Sequence, residues 1–211
     1  MSEGGRPLRA DARRNRALIL EAAFEAFASD GLSVPVHEIA RRAGVGTGTV
    51  SRHFPTKESL FEAILHSRAE RLVDEAARLA RSDNPGAAFF EFFSLVIAEG
   101  AANLGLAEAL AGAGFDLEAN AKRSGLDVMG ALNDLLVRAK RAGAVRADVD
   151  AMDVKALISC CLARSQGTAD LAAHDRMISI ARQGLRNALP LLPLPHQRNL
   201  GAAQNQITLK L

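Results

Sequence analysis

Two short helical stripes broken by glycines, between Ile39 and Lys57, constrain this chain more than any other stretch. Val36, Ile39, Ala40 and Ala43 recur at i, i+3, i+4 and i+7, which is one apolar face of a helix. Gly44-Val45-Gly46 breaks that helix: glycine tolerates a sharp turn, and Val45 is the single apolar plug in it. A second short helix is predicted over about Thr47 to Phe54, with Val50 and Phe54 turned inward. Thr47, Gly48, Thr49, Ser51, Arg52 and His53 then face outward. Small hydroxyl residues with an Arg and a His, and no carboxylate, suit a surface laid against phosphates and base edges. Pro55 stops the helix, and Thr56 is placed to cap the next one.

The flanking residues extend the pattern. Gly31-Leu32, then Glu38-Ile39-Ala40-Arg41-Arg42-Ala43-Gly44-Val45, then Gly48-Thr49-Val50-Ser51-Arg52-His53-Phe54-Pro55-Thr56-Lys57-Glu58-Ser59-Leu60 resembles the DNA-binding domain of TetR-family transcriptional regulators. The resemblance runs unbroken from about Arg14 to Leu65 and fades to architecture beyond Arg81. It implies phosphate contacts from Thr47, Gly48, Ser51, His53 and Lys57, and base-edge contacts from Thr49 and Arg52. Arg14, at the start of the matched stretch, is expected to join the DNA-binding set. The family usually has a tyrosine, packed on the DNA backbone, where this chain has Ser51. The resemblance further implies a homodimer on a palindromic double-stranded operator. It also implies a small-molecule effector whose binding swings the helix after Lys57 and releases a repressor from DNA.

Charge agrees locally rather than globally. The net charge of the 211 residues is only +2, but Arg6, Arg9, Arg13, Arg14 and Arg16 stand against one acid, Asp11, near the N-terminus. Such an arm tracks phosphates or enters a minor groove, or is simply solvated. No run of about 18 apolar residues is present, so no membrane span is expected. The arginine-rich start lacks the apolar region of a secretory signal. Cys160 and Cys161 are adjacent, about 100° apart on a helix, and cannot form an ordinary bridge. Buried inert thiols and a reducing cytoplasm are expected.

Helical periodicity dominates the rest. The fold class is therefore all-α: a three-helix, homeodomain-like head and a larger helical body. Residues 1–11 are read as the basic arm, 12–55 as the helix-turn-helix domain, 56–190 as the ligand-binding and dimerisation body, and 191–211 as a mobile tail. Helices are predicted over about 12–29, 57–81, 117–142, from Asp150, and over about 174–189. Another starts at Pro85 behind an Asp83-Asn84 cap. Gly100, Gly105, Gly112 and Gly114 are expected to divide the region after it into short pieces. The helix from Asp150 is apolar nearly all round and must be covered on both sides. It supplies Leu157 and Cys160, and the last helix Ile178, Ala181, Leu185 and Leu189, to an expected dimer face. Phe89, Phe93, Val96, Phe115, Leu126, Met129, Leu132 and Cys161 are the expected lining of a ligand cavity, suited to a hydrophobic or amphipathic effector. Ordinary core packing is the competing reading for each phenylalanine.

The five histidines show no metal-type pairing with acids, and no phosphate-binding loop, nucleophile elbow or CxxC occurs. No enzyme activity, metal or cofactor is expected. The rival reading is a family member that senses a ligand or partner but has lost DNA binding, motivated by Ser51.

Overall fold

The computed structural model describes residues 5–112, 114, 125–167 and 171–187. Their eight helices are α1 (Gly5–Asp30), α2 (Val36–Ala43), α3 (Thr47–His53), α4 (Lys57–Leu79), α5 (Pro85–Gly112), α6 (Val128–Arg141), α7 (Ala151–Gly167) and α8 (Leu171–Leu185). Among the described residues the only β-type pairing is one isolated bridge, Val145 to Arg186. The fold is all-α, with a small N-terminal head and a larger helical body. α1 begins at Gly5, so residues 5–11 continue the first helix instead of standing apart from it. Pro7 falls in its first turn, where a missing N–H costs little.

The head core joins Ile19, Ala23 and Phe27 of α1, Ile39 and Ala43 of α2, Val50 of α3, Phe54, and Leu60, Phe61 and Ile64 of α4. Leu106 and Leu110, at the far end of α5, complete it. The three helices up to position 55 therefore do not close their own core. The body core takes Leu72, Ala76 and Leu79 from the other half of α4, then α5, α6, α7 and α8. One continuous α4, about 34 Å long at 1.5 Å per residue, thus belongs to both cores.

Several junctions match the sequence. Asn84 Oδ1 accepts the Ala87 amide at 2.9 Å and caps α5. Asp150 Oδ1 accepts the Met152 and Asp153 amides at 2.8 and 3.0 Å, and Asp153 Oδ2 accepts the Asp150 amide at 2.9 Å. Other expectations are corrected. Gly100 and Gly105 do not divide α5, which runs unbroken to Gly112. A mid-helix glycine costs about 1 kcal/mol, whereas burying one leucine gains roughly 1.5–3 kcal/mol; Leu106 and Leu110, beyond both glycines, are fully buried. Gly100 also lets α7 approach, because a Cβ there would lie 2.9 Å from Leu162 Cδ2. α6 starts at Val128, so the expected helix over about 117–142 is interrupted at Gly125 to Asp127, and its first part lies outside the described residues. Gly125 takes φ +70°, and Asp127 Oδ1 caps the new helix by accepting the Gly130 amide at 2.7 Å.

By length and composition α5 is apolar enough to cross a membrane, against expectation. Here Phe89, Phe90, Phe92, Phe93 and Ile97 are buried inside the protein. α7 is covered on one side only. Val154, Ile158 and Cys161 face the core, while Ala156 and Cys160 are exposed and Met152 is 69% exposed. The last helix begins at Leu171 and ends at Leu185, one turn earlier at each end than expected.

Candidate nucleic-acid interface

The turn between α2 and α3 is built from backbone geometry. Gly44 adopts φ +66°, the left-handed region that favours glycine, and closes α2 through its amide to the Arg41 carbonyl at 3.2 Å. The Val45 amide reaches the Ala40 carbonyl at 3.0 Å, and Val45 packs against the head core. Gly46 is the N-cap of α3, and its carbonyl accepts the Thr49 amide at 2.9 Å. Val50 and Phe54 anchor α3. Thr47, Gly48, Ser51 and Arg52 are left exposed, and Thr49 and His53 half-buried. No acidic side chain lies on α3.

Cations converge beside this helix. Lys57 Nζ sits 5.6 Å from the Phe27 ring centroid and 5.9 Å from that of Phe61, two rings in edge contact at 4.9 Å. Arg16 lies over Phe54 at 5.4 Å, and Arg14, two residues earlier on α1, is exposed. These aromatic faces hold the charges without neutralising them. Thr56 Oγ1 accepts the Ser59 amide at 3.1 Å and Ser59 Oγ accepts the Thr56 amide at 3.2 Å. This reciprocal cap leaves the first amides of α4 directed out of the helix end, a favourable place for an anion.

The neighbouring Arg41 and Arg42 behave differently. Both donate to Glu38, at 2.7–2.8 Å, and Arg42 also pairs with Asp30 at the end of α1. The hydrogen bonds from Arg41, then Arg42, hold the Glu38 carboxyl down to about 2. Arg42 clamps α2 to α1, Arg41 stays paired within α2, and among the described residues no such ion pair involves Arg14, Arg16 or Arg52. Of the residues expected to touch DNA, Thr47, Gly48, Thr49, Ser51, Arg52 and His53 lie on α3, Lys57 opens α4, and Arg14 is exposed on α1. Arg16, one of the five arginines near the N-terminus, is held there by Phe54, 38 positions later, a pairing that has no signal in sequence.

Residues 19–64 match the model of bacterial regulatory proteins of the tetR family, and residues 84–187 match the C-terminal domain of SbtR-like transcriptional regulators. A solved TetR transcription regulatory protein from Mycobacterium vanbaalenii is 46% identical, with a TM-score of 0.71, over 85% of this chain and 99% of that one. The chain belongs to the TetR family of transcriptional regulators. A second solved regulator of the family, SCO0520 from Streptomyces coelicolor, is 31% identical with a TM-score of 0.70, over 82% of this chain and 99% of that one. The HTH-type transcriptional regulator SrpR of Pseudomonas putida is 41% identical over 64 residues, 30% of each chain. The chain spans under half the length of the curated relatives it matches. Proteins of this family are DNA-binding transcription factors, not enzymes.

In this TetR-family regulator the residues expected to line a ligand cavity separate into three groups. Phe89, Phe93, Val96, Leu132 and Cys161 are buried in the packed body core, with Phe89 and Phe93 ring centroids 6.2 Å apart. Leu126 and Met129 are half-buried, and Met129 packs at the core edge. Phe115 lies outside the described residues. Open grooves occur elsewhere, between α5 and α8. The expected dimer residues also divide. Ala181 and Leu185 belong to the chain's own core, Ile178 and Leu157 are half-buried, Cys160 is exposed, and Leu189 lies outside the described residues. Ala181 and Leu185 turn inward to join the core that the body helices share. Met152 and Ile180, each 69% exposed, were not anticipated. The four-residue spacing Met152, Ala156, Cys160 was the signal. Of the two thiols, Cys161 is buried, and burial, then its neighbour Cys160, pushes it up. The exposed Cys160 departs from the expectation of two buried thiols.

Proposed function

We propose that this regulator acts in the cytoplasm as a homodimeric repressor, on a palindromic operator, and is released by a small hydrophobic or amphipathic ligand. The observation that carries the reading is the exposed, carboxylate-free face of α3, with Arg52 on it and Lys57 and Arg16 beside it. A recognition helix placed in the major groove reads bases with Thr49 and Arg52, while Thr47, Gly48, Ser51, His53, Lys57 and Arg14 fix it on phosphates. Two heads are needed because one offers few contacts. The apolar strip Met152, Ala156, Cys160 on α7, with Ile180 on α8, supports pairing across a two-fold axis.

Release follows from the double membership of α4. A ligand entering at the Leu126–Met129 edge separates the phenylalanine core and favours a second position of Leu72, Ala76 and Leu79. Arg68 carries that shift to the head. It stacks on Phe24 of α1 at 3.7 Å and pairs with Glu21 of α1 at 3.2 Å and Glu99 of α5 at 3.8 Å. Differential affinity for the two positions, typically about 1–3 kcal/mol, is what couples the sites.

The test is titration of DNA from beside the protein's own gene, at two salt concentrations, with scrambled DNA as control. A specific complex that weakens steeply with salt is the expected result. Equal binding to scrambled DNA, or none at low salt, would favour the rival reading, a sensor without DNA binding, for which Ser51 in place of the usual tyrosine is the specific support.

A further inference from the structure

The groove between α5 and α8 is not used by the reading above. It has two adjoining parts of about 600 and 580 Å³, which share Ser94, Arg182 and Arg186. Arg182, in the last turn of α8, and Arg186, just past its end, both approach one ring: their guanidinium carbons stand 5.7 and 4.8 Å from the Phe90 centroid. Arg182 Nη1 donates to Ser94 Oγ at 3.2 Å, and Ser94 Oγ donates to the Phe90 carbonyl at 3.0 Å. Like charges at i, i+4 repel. Several other arginines of the body and head are compensated: Arg41 and Arg42 by Glu38, Arg68 and Arg71 by Glu21, Arg78 by Glu75, Arg146 by Asp148. Among the described residues Arg182 and Arg186 have no carboxylate within ion-pair distance.

Two acids line the groove without cancelling this charge. Glu91 is engaged by Arg78 at 3.1 Å. Asp175 lines the second part, seven residues before Arg182, roughly 10 Å away along the helix axis. A helix C-terminus favours cations; that accounts for a basic residue in the last turn of α8, but not for two guanidinium groups drawn onto α5 through Phe90 and Ser94.

We infer that this groove binds the carboxylate or phosphate group of a small molecule, held by Arg182 and Arg186 together, with Ser94 fixing Arg182. Guanidinium groups suit either anion because their N–H donors match paired oxygens. The groove has the volume of an ordinary small-molecule site. The site is separate from the apolar core proposed for the effector, so neither reading depends on the other.

The experiment titrates the full chain, without DNA, with sodium benzoate and with sodium phosphate at constant ionic strength. Calorimetry and thermal unfolding are read on wild type, R186Q, R182Q/R186Q and the charge-matched control R81Q/R141Q. Saturable binding of at least one anion is expected in wild type and control, with affinity reduced about tenfold or more in R182Q/R186Q. Tighter benzoate marks a carboxylate site and tighter phosphate a phosphate site. R186Q alters an exposed side chain and gives the same reading, several-fold weaker binding, should the double variant fold poorly. No saturable binding of either anion by wild type, or equal binding by R186Q and wild type, would overturn the assignment.

Discussion

At the residue scale, charge placement separates arginines that hold the head together from cations left for a partner. Arg41 and Arg42 are spent on Glu38 and Asp30, whereas Lys57 rests on the Phe27–Phe61 pair with its charge available. Lys57→Ala is expected to weaken operator and scrambled DNA alike and to lower the salt slope by about one, measured as log affinity against log salt. A loss confined to operator would show that Lys57 reads sequence. The Glu38 clamp has a pH signature. Its carboxyl lies near 2 in the folded head, below its ordinary 4.5. A depressed carboxylate stabilises fully above the unfolded value, and that stabilisation is lost as pH falls through the folded value. Wild type should therefore lose melting temperature more steeply than Glu38→Gln between about pH 4.5 and 2; parallel acid limbs would count against the clamp.

At the scale of elements, what was legible in sequence followed from local rules. The α2 stripe, the Gly44 turn, the Thr56 cap and the Asn84-Pro85 start each depend on residues within four positions, and each lies where the pattern put it. Gly100 was misread because its meaning depends on Leu162, 62 positions away, which packs where a side chain would be. Gly125 and Asp127 carried a usable stop-and-cap signal that helical periodicity on both sides obscured. The phenylalanine run could not be divided between core and cavity, since burial of all four rings depends on α4, α6 and α7 together. Gly86 provides a test of this packing. A Cβ there would fall 2.5 Å from the Ala144 Cβ, against a short backbone connection. Gly86→Ala should destabilise the protein by about 1–3 kcal/mol in chemical denaturation; an unchanged midpoint would mean that the α5–α6 junction is looser than described.

For the whole molecule, α4 and α5 each contribute one half to the head core and the other half to the body core, so two continuous helices tie the head to the body. The outer side of α7 and α8 exposes Met152 and Ile180, and the proposed dimer covers it. Ile180→Glu puts a charge where apolar surface is to be buried, without touching the inward Ala181 and Leu185. It should shift sedimentation at micromolar concentration from dimer to monomer and reduce operator affinity by at least about tenfold, because two linked heads gain from effective concentration. A dimer unchanged by Ile180→Glu would place the contact elsewhere.

The central claim is that α3 of each protomer reads bases in one half of a palindrome. Footprinting of wild type and Arg52→Ala on the operator tests it most directly, with each base pair of one half-site varied in turn. The predicted result is two protected half-sites about 34–36 Å apart, or a multiple of that. In Arg52→Ala the same positions would be covered with affinity lower by about 1–3 kcal/mol and discrimination lost at one or two base pairs. Unchanged discrimination at every position, or a single unpaired footprint, would contradict it.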